Sequence, residues 1–132
     1  MPEYTALIVI AHGSRNESAN EDTRHLAAEL TRRGPFPAVA AFLELAEPDI
    51  DAAAARCVAD GATKLVLLPH FLAAGVHVER DLSEASRRLA ERFQNVEFRL
   101  AAPFGRHPSL VDLLAERARQ VMENESVTKQ NE

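Results

Sequence analysis

The stretch KLVLLPHFLAAGVHVERDL, residues 64–82, joins a short apolar run to a helical pattern through a loop that contains Gly75. A continuous run of leucine and valine is typical of a strand that is buried on both faces of a sheet. After His77, apolar residues recur at spacings of three and four, which predicts an amphipathic helix. These residues are Val78, Leu82, Ala85, Leu89 and Phe93. The stretch therefore predicts one strand–helix unit of a parallel sheet.

The same strand–helix order occurs four times along the chain. Strands are predicted at residues 5–11, 38–45, 64–70 and 96–102, the last of them weaker and more alternating, as at a sheet edge. We therefore expect one α/β domain with three layers, in which helices flank a four-stranded parallel sheet with flavodoxin-like winding. The domain is expected to span residues 1–123, and residues 124–132, which lack apolar anchors, are expected to form a flexible C-terminal tail.

Local signals mark where the helices begin and end. Asn16 and Ser18 are capping candidates for the first helix, which is expected to end near Gly34. The second helix is expected to carry Pro48 near its first turn and to stop at Gly61. Acidic residues at its start favour the positive end of the helix dipole. The fourth helix is expected to start with Pro108 in its first turn.

Composition excludes several classes of protein. The net charge of −5 and the absence of a basic cluster argue against nucleic-acid binding. The single cysteine, Cys57, excludes an internal disulfide and any multi-cysteine zinc site, and its alanine-rich surroundings predict a core position. The apolar run near the N-terminus is too short for a secretion signal or a membrane span. We therefore expect a cytoplasmic protein that does not bind membranes.

Histidines and a carboxylate follow the predicted strands. His12 comes directly after the first strand, Glu44 near the end of the second, His70 and His77 after the third, and His107 after the fourth. The carboxyl ends of parallel strands share one edge of the sheet, and ligands bind in α/β folds at that edge. Two imidazoles and one carboxylate suit Fe(II), Co(II), Ni(II) or Zn(II) better than Mg(II) or Ca(II). Three protein ligands also leave the coordination sphere open.

Each of these residues also has a purely structural alternative. His12 is equally consistent with a bond to loop backbone, and Glu44 with an exposed surface loop. His77 and Asp81 are four residues apart, so that the carboxylate either orients the imidazole for a metal or takes part in a plain helix cap. His70, directly after Pro69, is expected to pack or to support a ligand rather than to bind metal itself.

Three segments together closely resemble the short form of the sirohydrochlorin chelatases, the CbiX/SirB group of class II chelatases. They are LIVIAHGSR (7–15), FLELAEPDI (42–50) and LLPHFLAAGVHVERDL (67–82). The most specific part is the pattern P-x-F-L-x-x-G-x-H-x-x-x-D, which starts at Pro69 and ends at Asp81. The likeness extends from about Leu7 to Arg117, and one copy of each motif is present, as in the single-copy members that work as homodimers.

The resemblance implies insertion of a divalent metal, cobalt or iron and in some members nickel, into the tetrapyrrole sirohydrochlorin for cobalamin or sirohaem synthesis. His12 and His77 match the metal-site histidines of the family, and Glu44 matches its glutamate. These three are expected to hold the metal and to carry the catalysis, with the metal as substrate and with no organic cofactor. Asp81 is expected to orient His77, whereas the resemblance implies no role for His70.

Because the protein is acidic overall, binding of a tetrapyrrole with many carboxylates requires positively charged side chains near the site. Guanidinium groups are expected to bind the substrate carboxylates, because arginine and carboxylate form bidentate hydrogen bonds. The start of the first helix is expected to bind an anion, and apolar residues beside His77 are expected to contact the ring. The expected substrate contacts are Ser14, Arg15, Leu72, Gly75, Arg80 and Arg106. Two other functions use the same residues. One is a metal chaperone or store without catalysis, and the other is a tetrapyrrole-binding relic that has lost metal insertion.

Overall fold

The computed structural model describes the backbone of residues 2–131 and the side chains through residue 124. Four parallel strands lie in the order β2-β1-β3-β4 and alternate with four helices, which confirms the predicted α/β fold. The strands are β1 (Thr5–Ala11), β2 (Ala38–Phe42), β3 (Lys64–Pro69) and β4 (Glu97–Leu100). The helices are α1 (Glu17–Arg33), α2 (Ile50–Ala59), α3 (Val76–Arg92) and α4 (Pro108–Asn131).

Strand alternation divides the core into two layers. Ile8 and Ile10 of β1 point to the face covered by α2 and α3, where Leu67 and Leu82 are also buried. Val9 of β1 points to the opposite face, which α1 covers. Cys57 lies in the first layer as predicted, and burial raises the pKa of its thiol.

Helix caps explain most of the boundaries. The side chain of Asn16 accepts a hydrogen bond from the backbone N–H of Ser18, which confirms the predicted cap of α1. At α2 the cap is Asp49, whose Oδ1 accepts from the N–H of Ala52 at 2.8 Å. Pro48 lies directly before this cap and so is near the first turn of α2, as expected.

Two boundaries near the carboxyl edge differ from the sequence prediction. β2 ends at Phe42, three residues early, because residues 43–48 form a series of bends, and the N–H of Phe42 donates to the carbonyl of Pro48 at 2.9 Å. α3 begins at Val76 with Gly75 as its N-cap, so that His77 lies inside the first turn rather than before the helix.

β4 is an edge strand and is mostly exposed, as its alternating pattern predicts. α4 begins at Pro108 as expected, and every described side chain from Val111 to Asn124 is exposed. The backbone is helical through Asn131. The side chains of residues 125–132 lie outside the described part of the chain, so the flexible tail predicted for residues 124–132 stays a prediction. Within residues 2–131, no helix has the length and apolar character required to cross a bilayer.

Candidate functional site

His12 and Glu44 face each other at the carboxyl edge of the sheet. Nε2 of His12 lies 3.0 Å from Oε1 of Glu44, and the two side chains are 57% and 56% exposed. An ion or a small molecule can therefore reach the pair from solvent. Glu44 lies two residues beyond the end of β2, in a bend that leaves its carboxylate exposed to solvent.

The backbone explains why the two side chains meet. β1 and β2 are neighbours, with Ala11 opposite Phe42. The ladder continues past both strands, since the N–H of Leu43 donates to the carbonyl of Ala11 and the N–H of Glu44 to that of His12, each at 3.0 Å. The loops after β1 and β2 are thereby joined directly at the site.

Gly13 makes this close approach possible. Its φ is +96°, a backbone conformation that residues other than glycine rarely adopt. A Cβ built on Gly13 would lie 1.7 Å from the backbone oxygen of Glu44, far inside van der Waals contact. The glycine between His12 and Ser14 is therefore required by the position of the neighbouring loop.

The side chain of Asn20 anchors the loop after β1 by hydrogen bonds to its backbone. This side chain is only 2% exposed. Its Oδ1 accepts from the N–H of Ser14 at 2.9 Å, and its Nδ2 donates to the carbonyl of Ser14 at 2.8 Å and to Glu17 at 3.1 Å. Sequence reasoning missed this residue. The signal was present, because Asn20, Thr23 and Ala27 share the three- and four-residue spacing of the buried face of α1.

Arg24 holds the loop after β2. Its guanidinium lies over the ring of Phe42, with 5.2 Å from Cζ to the ring centroid. It donates to the carboxylates of Glu17 and Glu21, and also to the carbonyl of Glu47 at 3.3 Å. The two glutamates raise the pKa of Arg24, which keeps the guanidinium charged. Nothing in the spacing of the sequence pointed to this contact, which joins α1 to the segment that carries Glu44.

His77 lies apart from the His12–Glu44 pair in this conformation. Its side chain is exposed in the first turn of α3. In residues 2–131 no three His, Cys, Asp or Glu side chains are close enough together to hold a metal ion. Nor does the described part of the chain contain an ion pair between His77 and Asp81. Asp81 instead borders a cavity of 320 Å³ with Asp49, Asp51 and Glu84. The three-ligand set expected from the sequence is therefore not assembled within one copy.

His70 is packed rather than open. Its Nδ1 lies 3.0 Å from the hydroxyl oxygen of Thr23, and its ring is tilted against Phe104 with centroids 5.8 Å apart. Its backbone N–H donates to the carbonyl of Ile10 at 2.7 Å. Burial lowers the pKa of His70, and the nearby charge of Asp22 opposes this only in part. These contacts agree with the expected packing or supporting role.

His107 serves the fourth helix. Its Nδ1 accepts a hydrogen bond from the N–H of Ser109 at 3.1 Å, which satisfies a free donor in the first turn of α4. His107 follows β4 at the carboxyl edge, and in the described structure its side chain caps α4.

The expected substrate contacts are mostly exposed. In the part of the chain that the structure describes, none of the guanidinium groups of Arg15, Arg80 and Arg106 forms an ion pair, and all three are exposed. Leu72 is 69% exposed and follows His70 by two positions. Ser14 is tied through its backbone to Asn20, and its Oγ accepts from the N–H of Asn16 at 3.0 Å.

The geometry of the pair suits metal binding. Bonds from a first-row ion to imidazole nitrogen or carboxylate oxygen are about 2.1 Å long, so that two ligands at a right angle are about 3.0 Å apart. The 3.0 Å between His12 and Glu44 matches that spacing. An ion is therefore able to bind both atoms with little movement of either side chain, and its remaining positions face solvent.

Comparisons with known proteins show the family and the fold of the chain. The CbiX family model matches residues 6–121. The chain belongs to the CbiX family. A sirohydrochlorin cobaltochelatase of Sulfolobus acidocaldarius is 34% identical to this CbiX chain over 125 residues, which cover 94% of the chain and 98% of that protein. A sirohydrochlorin cobaltochelatase of Priestia megaterium is 37% identical over 93% of the chain.

The CbiX chain is shorter than several of the proteins that it matches. It spans only 40% of the Priestia megaterium relative. The crystal structure of the sirohydrochlorin chelatase SirB from Bacillus subtilis subspecies spizizenii in complex with cobalt superposes with a TM-score of 0.82 at 26% identity. That match covers 89% of the chain and 51% of SirB. The overall fold is thus shared with a protein about twice as long as this chain.

Proposed function

We propose that this CbiX protein inserts a divalent metal, namely cobalt, iron or nickel, into sirohydrochlorin. The observation that carries the proposal is the open His12–Glu44 pair, with 3.0 Å between its nearest nitrogen and oxygen, at the carboxyl edge of a CbiX fold. Relatives named as sirohydrochlorin cobaltochelatases along most of the chain support the same reaction. The metal is a substrate here, and no organic cofactor is needed for ligand exchange and proton transfer.

His12 and Glu44 would receive the metal. Metallation removes two pyrrole N–H protons and exchanges metal-bound water for ring nitrogens. As the ring takes the ion, the imidazole of His12 becomes free to accept a pyrrole proton, because a neutral imidazole is an effective base near neutral pH. The carboxylate of Glu44 compensates the charge of the incoming cation. Both groups remain reachable by a large substrate, since more than half of each side chain is exposed.

His77 would complete the site as the third ligand or as the second proton acceptor. It lies in the first turn of α3, and the glycine that caps this helix precedes it by two residues. Asp81 would orient the imidazole from the next turn. Because His77 does not join the pair in the described conformation, the proposal includes a movement of the segment 70–77, or a contribution from a second copy, during binding.

The carboxylates of the tetrapyrrole would be held by the guanidinium groups of Arg15, Arg80 and Arg106. None of these arginines forms an ion pair within the described residues, so their charges are available. Ser14 would contribute its hydroxyl, and Leu72 and Gly75 an uncharged bed for the ring. The described rim is that of a small single domain, which favours a homodimer whose two rims enclose the macrocycle. A cytoplasmic location is part of the proposal and agrees with the unpaired cysteine Cys57.

The test is the absorbance change that accompanies metallation when purified protein is mixed with sirohydrochlorin and Co(II) or Fe(II). We expect His12→Ala to lower the rate at least ~100-fold, and Glu44→Gln and His77→Ala to lower it by a smaller factor. His25→Ala is the matched control, because His25 is an exposed histidine of α1 away from the carboxyl edge. Full activity in both His12→Ala and His77→Ala would overturn the site.

A metal chaperone is the second candidate, favoured by the exposure of the pair. Such a protein would bind Co(II) through His12 and Glu44 but would transfer it no faster than the uncatalysed reaction. Titration with Co(II) alone, followed by its absorption bands, measures binding, and the metallation rate then separates the two functions. Binding without a rate above background would replace catalysis by metal delivery.

A further inference from the structure

Leu45 has a backbone conformation that leucine rarely adopts. Its φ is +64°, and within residues 2–131 no other residue apart from glycine has a positive φ. This left-handed region is unfavourable for a leucine, because its Cβ comes close to the following carbonyl oxygen. The contacts of the surrounding loop have to compensate the strain. Leu45 directly follows Glu44, so the strain lies one residue from the His12–Glu44 pair.

Backbone hydrogen bonds on both sides hold Leu45 in this conformation. The N–H of Ala46 donates to the carbonyl of Glu44 at 2.8 Å, which closes a three-residue γ-turn with Leu45 at its centre. The N–H of Glu44 donates in turn to the carbonyl of His12 at 3.0 Å. The turn is therefore tied to the loop after β1, and the direction of the Leu45 side chain is fixed with it.

The turn presents an apolar side chain to solvent at the carboxyl edge. Leu45 is 56% exposed. Residues 43–49 and Ala52 line an open cavity of 690 Å³ beside it, which is within the size range of ligand sites. Leu72, in the loop after β3, is also exposed. Because the strand order is β2-β1-β3, the loops that carry the two leucines lie on either side of the loop that carries His12.

We propose that the side chain of Leu45 binds the uncharged face of the tetrapyrrole ring beside the His12–Glu44 pair, and that the strained turn holds this side chain in place for the ring. The inference rests on the proposed function, because it names a contact of the same substrate. Leu45 neither binds the metal nor accepts a proton, so that its contribution is to the affinity for the ring.

The charges around the turn determine which part of the substrate lies there. Glu44, Glu47 and Asp49 line the cavity, and all three are exposed carboxylates. They repel the carboxylates of the substrate, which pair with arginines elsewhere on the edge. The ring itself therefore faces Leu45. Contact between the two removes apolar surface from water on both sides, which favours binding.

Binding of sirohydrochlorin without metal, followed by the fluorescence of the tetrapyrrole, tests the contact. Leu45→Asn removes the apolar side chain but keeps a residue type that tolerates positive φ. We expect it to bind the ring about tenfold more weakly, the loss that corresponds to one leucine contact. KM for sirohydrochlorin should rise by a similar factor, whereas kcat and Co(II) binding should stay unchanged. Leu45→Met keeps an apolar side chain of similar volume and should retain most of the affinity.

Phe36→Asn is the matched control. Phe36 is an exposed apolar residue at the opposite end of the same strand, two positions before β2 begins. Urea unfolding checks that each variant is folded. Leu45→Gly removes the side chain together with the strain, so it should be as stable as the unmodified protein and yet bind the ring as weakly as Leu45→Asn.

Three results would overturn the contact. They are equal affinity of Leu45→Asn and the unmodified protein for the ring, an equal loss in Phe36→Asn, and a parallel loss of Co(II) binding, which would mean that the substitution displaces Glu44. An unmodified protein that does not bind sirohydrochlorin would overturn the contact together with the proposed function. Ring binding with the expected variant pattern but without metallation supports the contact and rejects only the proposed activity.

Discussion

The backbone oxygen of Glu44 occupies the space where any side chain at position 13 would begin. A Cβ on Gly13 would lie 1.7 Å from that oxygen, and the φ of Gly13 is +96°. Two loops from neighbouring strands therefore come together directly beside His12. The position of the Glu44 carboxylate depends on the absence of a side chain two residues after the end of β1.

Gly13→Ala is expected to destabilise the protein by about 2–5 kcal/mol, from an unfavourable φ together with overpacking. It should also separate Glu44 from His12 and weaken Co(II) binding. Urea unfolding and Co(II) titration measure the two effects. Gly61→Ala is the control, because Gly61 also has a positive φ, +106°, but nothing lies within 4 Å of its Cβ position. Equal losses in both variants would mean that the contact with Glu44 has no influence.

Asn20→Ala is expected to cost about 1–3 kcal/mol, because it leaves the partly buried N–H and carbonyl of Ser14 without their partner. The loop that carries His12 should then become mobile, and the rate of metallation should fall more than stability alone explains. Asn16→Ala removes a helix cap at an exposed position in the same region and serves as comparison. If both variants lose the same activity at the same stability, Asn20 has no special part in positioning the loop.

His70 is expected to make stability depend on pH. Burial lowers the pKa of His70 in the folded state, so that the unfolded chain binds a proton more readily than the folded one. The contribution of neutral His70 to the free energy of unfolding is fully present above the pKa of the unfolded chain, about 6.5. It is lost as the pH falls from there toward the lower pKa of His70 in the folded state. The difference in unfolding free energy between the wild type and His70→Asn should change across this window. A difference that is constant with pH would show that His70 titrates normally.

Hydrophobic periodicity determined much of this protein in advance. The apolar runs at β1 and β3, the apolar face of α3 and the cap at Asn16 each depend on residues close together in the chain, and their energetics are local. The rule that ligands bind at the carboxyl ends of parallel strands then brought His12 and Glu44 to one edge. The motif that ends at Asp81 by itself indicates the family.

Tertiary structure alone decided the details on which chemistry depends. The hydrogen bond between the N–H of Glu44 and the carbonyl of His12 joins two loops that are far apart in the chain, and the buried face of Asn20 holds one of them. Tertiary packing also keeps His77 away from the His12–Glu44 pair and leaves the apolar side chains of Val111, Leu114, Val121 and Met122 on α4 exposed. Such distances follow from the packing of whole elements against each other, which no local pattern of residues encodes.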